Sequence, residues 1–280
     1  MRIIKKVSQM QNLAKVLHGK GKSMGFVPTM GALHEGHLSL MRRARKENDV
    51  VIVSIFVNPT QFGPAEDCRR YPRNLKKDAE LCNKIGVGYI FAPSVNEMYP
   101  DGYSTYINIE GNFTEVLEGK SRPGHFRGVA TVVAKLFNII QPDRAYFGQK
   151  DYQQLLLVKK MVEDLNIPLK IISCPTIRES DGLAMSSRNV YLGAEERKSA
   201  LILNQVLEST RKSLKYRIAD ARRMEDRIIK IIKKEPKVKI DYVEIRDWKD
   251  LRPVKIARKG CVILVAVWIG KTRLIDNVII

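Results

Sequence analysis

Cysteine is scarce in this 280-residue sequence: four residues, Cys68, Cys82, Cys174 and Cys261, stand far apart, with no Cys-x-x-Cys pair among them. That spacing excludes a structural zinc site and a dense disulfide framework, and it predicts reduced thiols in a cytoplasmic protein. Long apolar runs are lacking too. The longest, residues 50–57 and Cys261–Ile269, fall well short of the ~20 residues of a membrane span. The opening Met-Arg-Ile-Ile-Lys-Lys-Val-Ser has neither the continuous apolar stretch nor the small-residue cleavage site of a secretion signal. No internal repeat or low-complexity tract stands out. Acidic residues are in deficit, 30 against 49 basic ones, for a net charge of +19. The surplus is +9 before Thr176 and +10 in the shorter remainder. A basic stripe that binds nucleic acid is one reading of it. The favoured reading is a basic solvated surface, because the densest stretch, residues 211–234, interleaves Lys and Arg with apolar residues at helical spacing.

What is present is an alternation of strand-like and helix-like segments. Residues 24–27 and 50–57 are short apolar runs, and the second is continuous, as suits a parallel strand covered on both faces. Residues 36–46 between them read as a helix with cations toward its C-terminal end. Further helices are expected at 74–85, 128–140 and 152–165, and further strands at 89–92, 144–147 and 169–173. This repetition predicts a doubly wound, Rossmann-like parallel sheet of the α/β class over residues 1–176. The texture then changes. A polar loop at 179–189 precedes two helical patterns, 194–214 and 218–234, and three strand-like runs, 238–245, 261–269 and 274–280. Helices followed by strands predict a smaller α+β C-terminal domain, 177–280, with the boundary within 176–190.

Two segments carry chemistry. The first, Pro-Thr-Met-Gly-Ala-Leu-His-Glu-Gly-His at 28–37, follows a strand and opens a helix. Ligands bind at such strand ends, and a helix N-terminus attracts phosphate. His34 and His37, three apart, project from one face. They could instead cap or pack, or bind metal, although spacing fixes no third ligand. The second segment, Gly-Leu-Ala-Met-Ser-Ser-Arg-Asn at 182–189, offers two hydroxyls and a guanidinium suited to gripping a polyphosphate. Alone it is an ordinary loop sequence.

Together, the early His-x-Gly-His turn and the late Met-Ser-Ser-Arg loop resemble the signatures of the nucleotidyl-transfer superfamily that includes class I aminoacyl-tRNA synthetases. Further segments narrow this: Ser-Ile-Phe-Val-Asn-Pro-Thr-Gln-Phe at 54–62, Tyr-Pro-Arg at 71–73, His-Phe-Arg-Gly-Val-Ala at 125–130, Phe-Gly-Gln-Lys-Asp-Tyr-Gln-Gln at 147–154 and Thr-Arg-Leu-Ile-Asp-Asn at 272–277. In that order they resemble the pantothenate synthetase (pantoate–β-alanine ligase) family from about residue 24 onward.

The resemblance implies condensation of pantoate with β-alanine through pantoyl adenylate, with ATP and Mg²⁺, releasing AMP and pyrophosphate. It implies a homodimer with no nucleic-acid or membrane partner. Carried over, Met30, Gly31, Ala32, Leu33, His34, Glu35, Gly36 and His37 match the first ATP segment, with His37 as proton donor. Gly148, Gln149, Lys150, Asp151 and Ile177 match further nucleotide contacts. Met185, Ser186, Ser187 and Arg188 match the phosphate-gripping loop, with Lys150 opposing Arg188; His34, His37, Lys150 and Arg188 are the expected catalytic set. Gln61 matches the residue holding pantoate and β-alanine, and Gln154 a second pantoate ligand. Asp78 could coordinate or orient Mg²⁺ near the phosphates, but a lone carboxylate in a helical Lys-Lys-Asp run is more often solvated, and no metal ligand is assigned. Two other readings stay open: a nucleotidyltransferase whose product keeps the adenylyl group, and a basic RNA-binding module. Residues 182–189 are expected to close over bound ATP.

Overall fold

A computed structural model of the chain describes residues 1–64 and 66–280. The first half is built on six parallel strands, β1 (Arg2–Ile4), β2 (Met24–Thr29), β3 (Val50–Ile55), β4 (Tyr89–Phe91), β5 (Arg144–Gly148) and β6 (Lys170–Cys174), in the order β1-β4-β3-β2-β5-β6. Helices α1 (Val7–Gly19), α2 (Glu35–Glu47), α3 (Leu75–Ile85), α4 (Val95–Met98), α5 (Asn112–Glu115), α6 (Glu118–Ser121), α7 (His125–Ile140) and α8 (Tyr152–Asp164) connect them. The uninterrupted apolar run of β3 is explained by cover on both faces. Val51 and Val53 pack with Leu40, Met41 and Cys82 of α2 and α3, whereas Ile52 faces the cluster formed with α1, α7 and α8. The sequence reading had no strand at Arg2–Ile4 and no helix at Val7–Gly19, yet Met10, Ala14 and Leu17 form the buried stripe of α1.

The second half contains α9 (Ala194–Ala200), α10 (Ile202–Leu214) and α11 (Ala221–Ile232) packed against an antiparallel sheet. Strands β7 (Ala219–Asp220) and β9 (Ile256–Ala257) pair as a small ribbon. The main sheet is β8 (Val238–Asp247), β10 (Cys261–Ile269) and β11 (Thr272–Ile279), ordered β11-β10-β8. The single helix expected over 194–214 divides at Leu201, whose N–H bonds to Lys198 three residues back at 3.2 Å. That tighter turn leaves the apolar period intact, so the pattern cannot reveal it. The two largest clusters of the first half lie before residue 175, and that of the second half begins at Leu183. A further cluster joins the halves: Tyr152 and Leu156 of α8 with Leu251, Val262 and Leu264.

Strand order places the site. From β2 the sheet runs toward β3 and β4 on one side and toward β5 and β6 on the other. The connections leaving β2 and β5 therefore diverge and open a crevice at the strand ends. One wall of that crevice needs a glycine. Helix α7 lies so close to the 3₁₀ turn Pro59–Gln61 that a Cβ on Gly128 would fall on the Thr60 carbonyl. Gly128→Ala is therefore expected to lose about 1–3 kcal/mol, as overpacked sites do, and to displace the turn that carries Gln61. Calorimetry checks this; an unchanged melting temperature would contradict so tight a fit.

Candidate active site

Residues 31–34 leave β2 by a turn whose backbone N–H groups each meet an acceptor. Gly31 has φ +84°, and Ala32 follows at φ +50°. A Cβ on Gly31 would sit 2.9 Å from Asp78 Oδ2 and 3.1 Å from Ile55 Cγ2, so glycine is required on both counts. The Gly31 N–H donates to Thr29 Oγ1 at 3.1 Å. The N–H groups of Ala32 and Leu33 donate to the two oxygens of Asp78 at 3.1 and 2.9 Å. His34 N–H points to His37 Nδ1 at 3.4 Å. Among the described residues, Glu35 and Gly36 then hold the N–H groups of the first turn of α2 that lack a protein acceptor.

The two histidine rings stack at 4.1 Å between centroids. Burial lowers His34 to about 4, with help from the Lys150 charge. Burial and the neighbouring His34 and Lys150 lower His37 to about 3. Both are neutral at pH 7. Because His37 Nδ1 faces the His34 N–H, its proton resides on Nε2, which makes that atom a hydrogen-bond donor into the cavity.

The wall that carries Gln61 is held by its own network. Gln61 is buried, and its Oε1 accepts from Asn58 Nδ2 at 3.0 Å. Asn58 Nδ2 also donates to the Gly128 carbonyl at 3.1 Å. His125 donates from Nδ1 to the Gln61 carbonyl at 2.7 Å and accepts from Arg122 at 3.0 Å. Burial and Arg122 lower His125 to about 4. Arg122 is in turn fixed by both oxygens of Glu66, each at 2.6 Å. The adjacent glutamines of α8 divide their labour. Gln153 is buried and bonded to the backbone of Glu118, Phe113 and Val116. Gln154 faces the cavity and makes no protein hydrogen bond among the described residues.

The loop after β6 closes the remaining side. Arg178 anchors it to the C-terminal sheet through a bidentate pair with buried Asp276, at 2.7 and 3.0 Å. Ser187 Oγ donates to the Ala32 carbonyl at 3.1 Å. Arg188 makes a fork to Asp67 at 3.0 and 2.7 Å. Burial would raise Asp67, but the Arg188 guanidinium outweighs it and holds the carboxyl low. Asn277 of β11 donates to the carbonyls of Gln149 and Lys150 at 3.0 and 2.7 Å, fixing the turn that follows β5.

These elements enclose a cavity of about 240 Å³ lined by Met30, His34, Gly36, His37, Gln61, Gly148, Lys150, Asp151, Gln154, Ile177, Met185, Ser186, Ser187 and Arg188. A larger cleft, about 1030 Å³, adjoins it between the halves of the chain and shares Lys150, Gln154 and Arg188. Five residues expected at the nucleotide do not line the smaller cavity. Gly31, Ala32 and Leu33 form the turn behind its wall. The Glu35 carboxylate pairs with Arg42, and Gln149 presents its carbonyl to Asn277.

The family model described as pantoate-beta-alanine ligase matches residues 2–279. A pantothenate synthetase from Moorella thermoacetica is 55% identical over all 280 residues and 99% of its own length. The crystal structure of pantothenate synthetase from Thermus thermophilus superposes with a TM-score of 0.92 at 45% identity, covering 99% of each chain. The chain belongs to the pantoate–β-alanine ligase family. Another family member, from Francisella tularensis, was solved in complex with beta-gamma ATP and beta-alanine; it is 40% identical, with a TM-score of 0.81, and the match covers 100% of this chain and 97% of that one.

In this ligase the sequence motifs meet, but the residues that hold them in place were not read from sequence. Asp78 is the clearest correction. It is only 2% exposed, not solvated, because α3 turns it inward beneath the Gly31 turn. His125, Asp67 and Glu66 were likewise missed as supports. Each has a partner 45 or more positions away that only the fold brings to it.

Buried neutral histidines have a measurable consequence. Their folded pKa values lie below the unfolded value of about 6.5, so from there down toward 4 the unfolded chain binds more protons. Stability should fall with falling pH in that window, by about 1.4 kcal/mol per pH unit for each such histidine. Urea midpoints at pH 7 and pH 5 check this, and His125→Asn should flatten the slope. A midpoint independent of pH across that range would contradict the burial of His37 and His125.

Proposed function

We propose that the chain joins pantoate to β-alanine through a pantoyl adenylate, releasing AMP and pyrophosphate. The observation that carries this reading is the single cavity in which two amide side chains, Gln61 and Gln154, face Lys150, Arg188 and the Nε2–H of His37. Neutral amides suit a hydroxy acid; the cations and the imidazole N–H suit phosphate.

A pantoate carboxylate oxygen attacks the ATP α-phosphorus, and the bond from that phosphorus to the pyrophosphate oxygen breaks. Negative charge grows on the phosphate oxygens. Lys150, Arg188 and His37 are placed to meet it, with the N–H groups of Glu35 and Gly36 at the positive end of α2. The amine of β-alanine, once deprotonated, then attacks the acyl carbon. The acyl C–O bond breaks, and AMP leaves. A carboxylate alone is a poor acyl donor, which is why activation precedes amide formation. Positioning and charge neutralisation are the protein's share of the chemistry.

Arg188 already has a carboxylate partner in Asp67, so phosphate must compete for or share its guanidinium. Ser186 and Ser187 offer hydroxyls beside it. We infer that Mg²⁺ enters on the phosphates of ATP, the way this ion is commonly bound. Among the described residues no three His, Cys, Asp or Glu side chains cluster to hold a metal. We also infer that residues 1–176 and 177–280 act as two units closing on the nucleotide, because Arg178, Ser187 and Asn277 join them around it. A cytoplasmic homodimer is the remaining inference. It rests on four unpaired cysteines and on the family resemblance, and light scattering tests the dimer.

Labelled pyrophosphate should exchange into ATP when pantoate is present and β-alanine is absent. His37→Ala should slow that exchange by about 10²–10³, the effect of losing one donor to developing charge. Gln61→Ala and Gln154→Ala should depress exchange as strongly as overall synthesis. Exchange that strictly required β-alanine would point to a concerted reaction and remove the reason for assigning both glutamines to pantoate.

A further inference from the structure

We infer that Asp78 is a positioning residue for the ATP reaction, setting both the nucleotide turn and the seat of the closing loop, and that it is not a metal ligand. This rests on the ATP reading above and deepens it.

The geometry centres on one peptide unit, the one joining Ala32 to Leu33. Its N–H donates to Asp78 Oδ1 at 2.9 Å. Its carbonyl, on the opposite edge of the same trans peptide, accepts from Ser187 Oγ at 3.1 Å. The preceding N–H, of Ala32, goes to Asp78 Oδ2 at 3.1 Å. A single carboxylate thus fixes two successive peptides and thereby the direction of the carbonyl on which the loop rests. Charge-assisted bonds to a carboxylate are stronger than neutral ones, and a polarised peptide makes a better acceptor at its far end.

The turn needs such a support. Ala32 sits at φ +50°, in the left-handed region that costs a residue with a side chain. Without an acceptor, two N–H groups behind the wall would be buried and unpaired. Asp78 supplies the acceptor before any nucleotide arrives, so ATP meets a preformed turn. Both carboxylate oxygens are engaged by backbone, Asp78 is 2% exposed, and it does not line the cavity. A metal ion at the phosphates would have to break these bonds to recruit it.

The test combines amide hydrogen exchange on the wild-type chain with ATP binding by calorimetry and steady-state kinetics on Asp78→Asn. In the wild type without nucleotide, the Ala32 and Leu33 amides should be protected although they lie in a turn. Asparagine retains one acceptor and turns an NH₂ toward the second N–H. Asp78→Asn should therefore weaken ATP binding about ten-fold or more, the scale of one hydrogen bond to a charged group. The KM for ATP should rise with it, while the KM for pantoate stays within about two-fold. Excess Mg²⁺ should not restore binding. Combined with Gly31→Ala, which distorts the same turn, the loss should be less than the product of the two single losses. Unprotected amides at Ala32 and Leu33 would overturn the inference, even if no variant folded. So would ATP affinity within two-fold of wild type in folded Asp78→Asn, rescue by Mg²⁺, or fully multiplicative losses. A wild-type chain that fails to bind ATP would sink the ATP reading itself, and this inference with it.

Discussion

Parallel pairing of β2 with β3 on one edge and β5 on the other is the constraint from which the site follows. Two strands that share an edge but send their connections apart leave a gap at their C-terminal ends, and nothing in the sheet can fill it. The turns after β2 and after β5 both open into that gap. Close approach is then enforced at two glycines. Gly31 leaves room for Asp78 beneath the turn, and Gly128 lets α7 reach the 3₁₀ turn that carries Gln61.

Electrostatics inside the gap differ from what the overall charge suggests. The surplus of +19 is carried in large part by exposed helix faces, such as Arg222, Arg223, Arg227 and Lys230 of α11. Near the cavity, arginines are matched by carboxylates: Arg188 with Asp67, Arg122 with Glu66, and Arg273 with Glu118 at 2.7 and 2.8 Å. Glu118 is buried and also accepts from Tyr242 at 2.8 Å, so this last pair ties the C-terminal sheet to the segment before α7. Such pairs fix geometry more surely than they add stability. The histidines His34 and His37, desolvated and beside Lys150, are neutral. The site thus pairs its arginines internally and does not hold a standing positive field.

Elements with strong periodicity were legible. The double cover of β3 could be read from its unbroken apolar run, and the helices α2, α3, α7 and α8 from their spacing. Motifs at strand ends were legible as well, since His34, His37, Lys150 and the Ser186, Ser187, Arg188 run meet in one cavity as expected. What escaped was anything whose meaning depends on a distant partner. Asp78 in a Lys-Lys-Asp helix reads as solvated until the fold places the turn of residues 31–33 above it. His125 looks like a helix-opening residue until Gln61 and Arg122 occupy its two nitrogens. The break at Leu201 hides because a single tight hydrogen bond does not disturb the apolar period. Helix α1 carries its buried stripe at Met10, Ala14 and Leu17, a spacing legible in the sequence.

The central claim is that this cavity brings the carboxylate of pantoate to the α-phosphorus of ATP. Transfer of oxygen tests it most directly. With pantoate labelled by ¹⁸O in its carboxylate, turnover with ATP and β-alanine should deliver one labelled oxygen to the phosphate of AMP, because the acyl C–O bond breaks in the second step. Mass spectrometry of the AMP reads this in one experiment. Unlabelled AMP, with the label found instead in pyrophosphate or inorganic phosphate, would contradict attack at the α-phosphorus and the placement of reactants argued from this geometry.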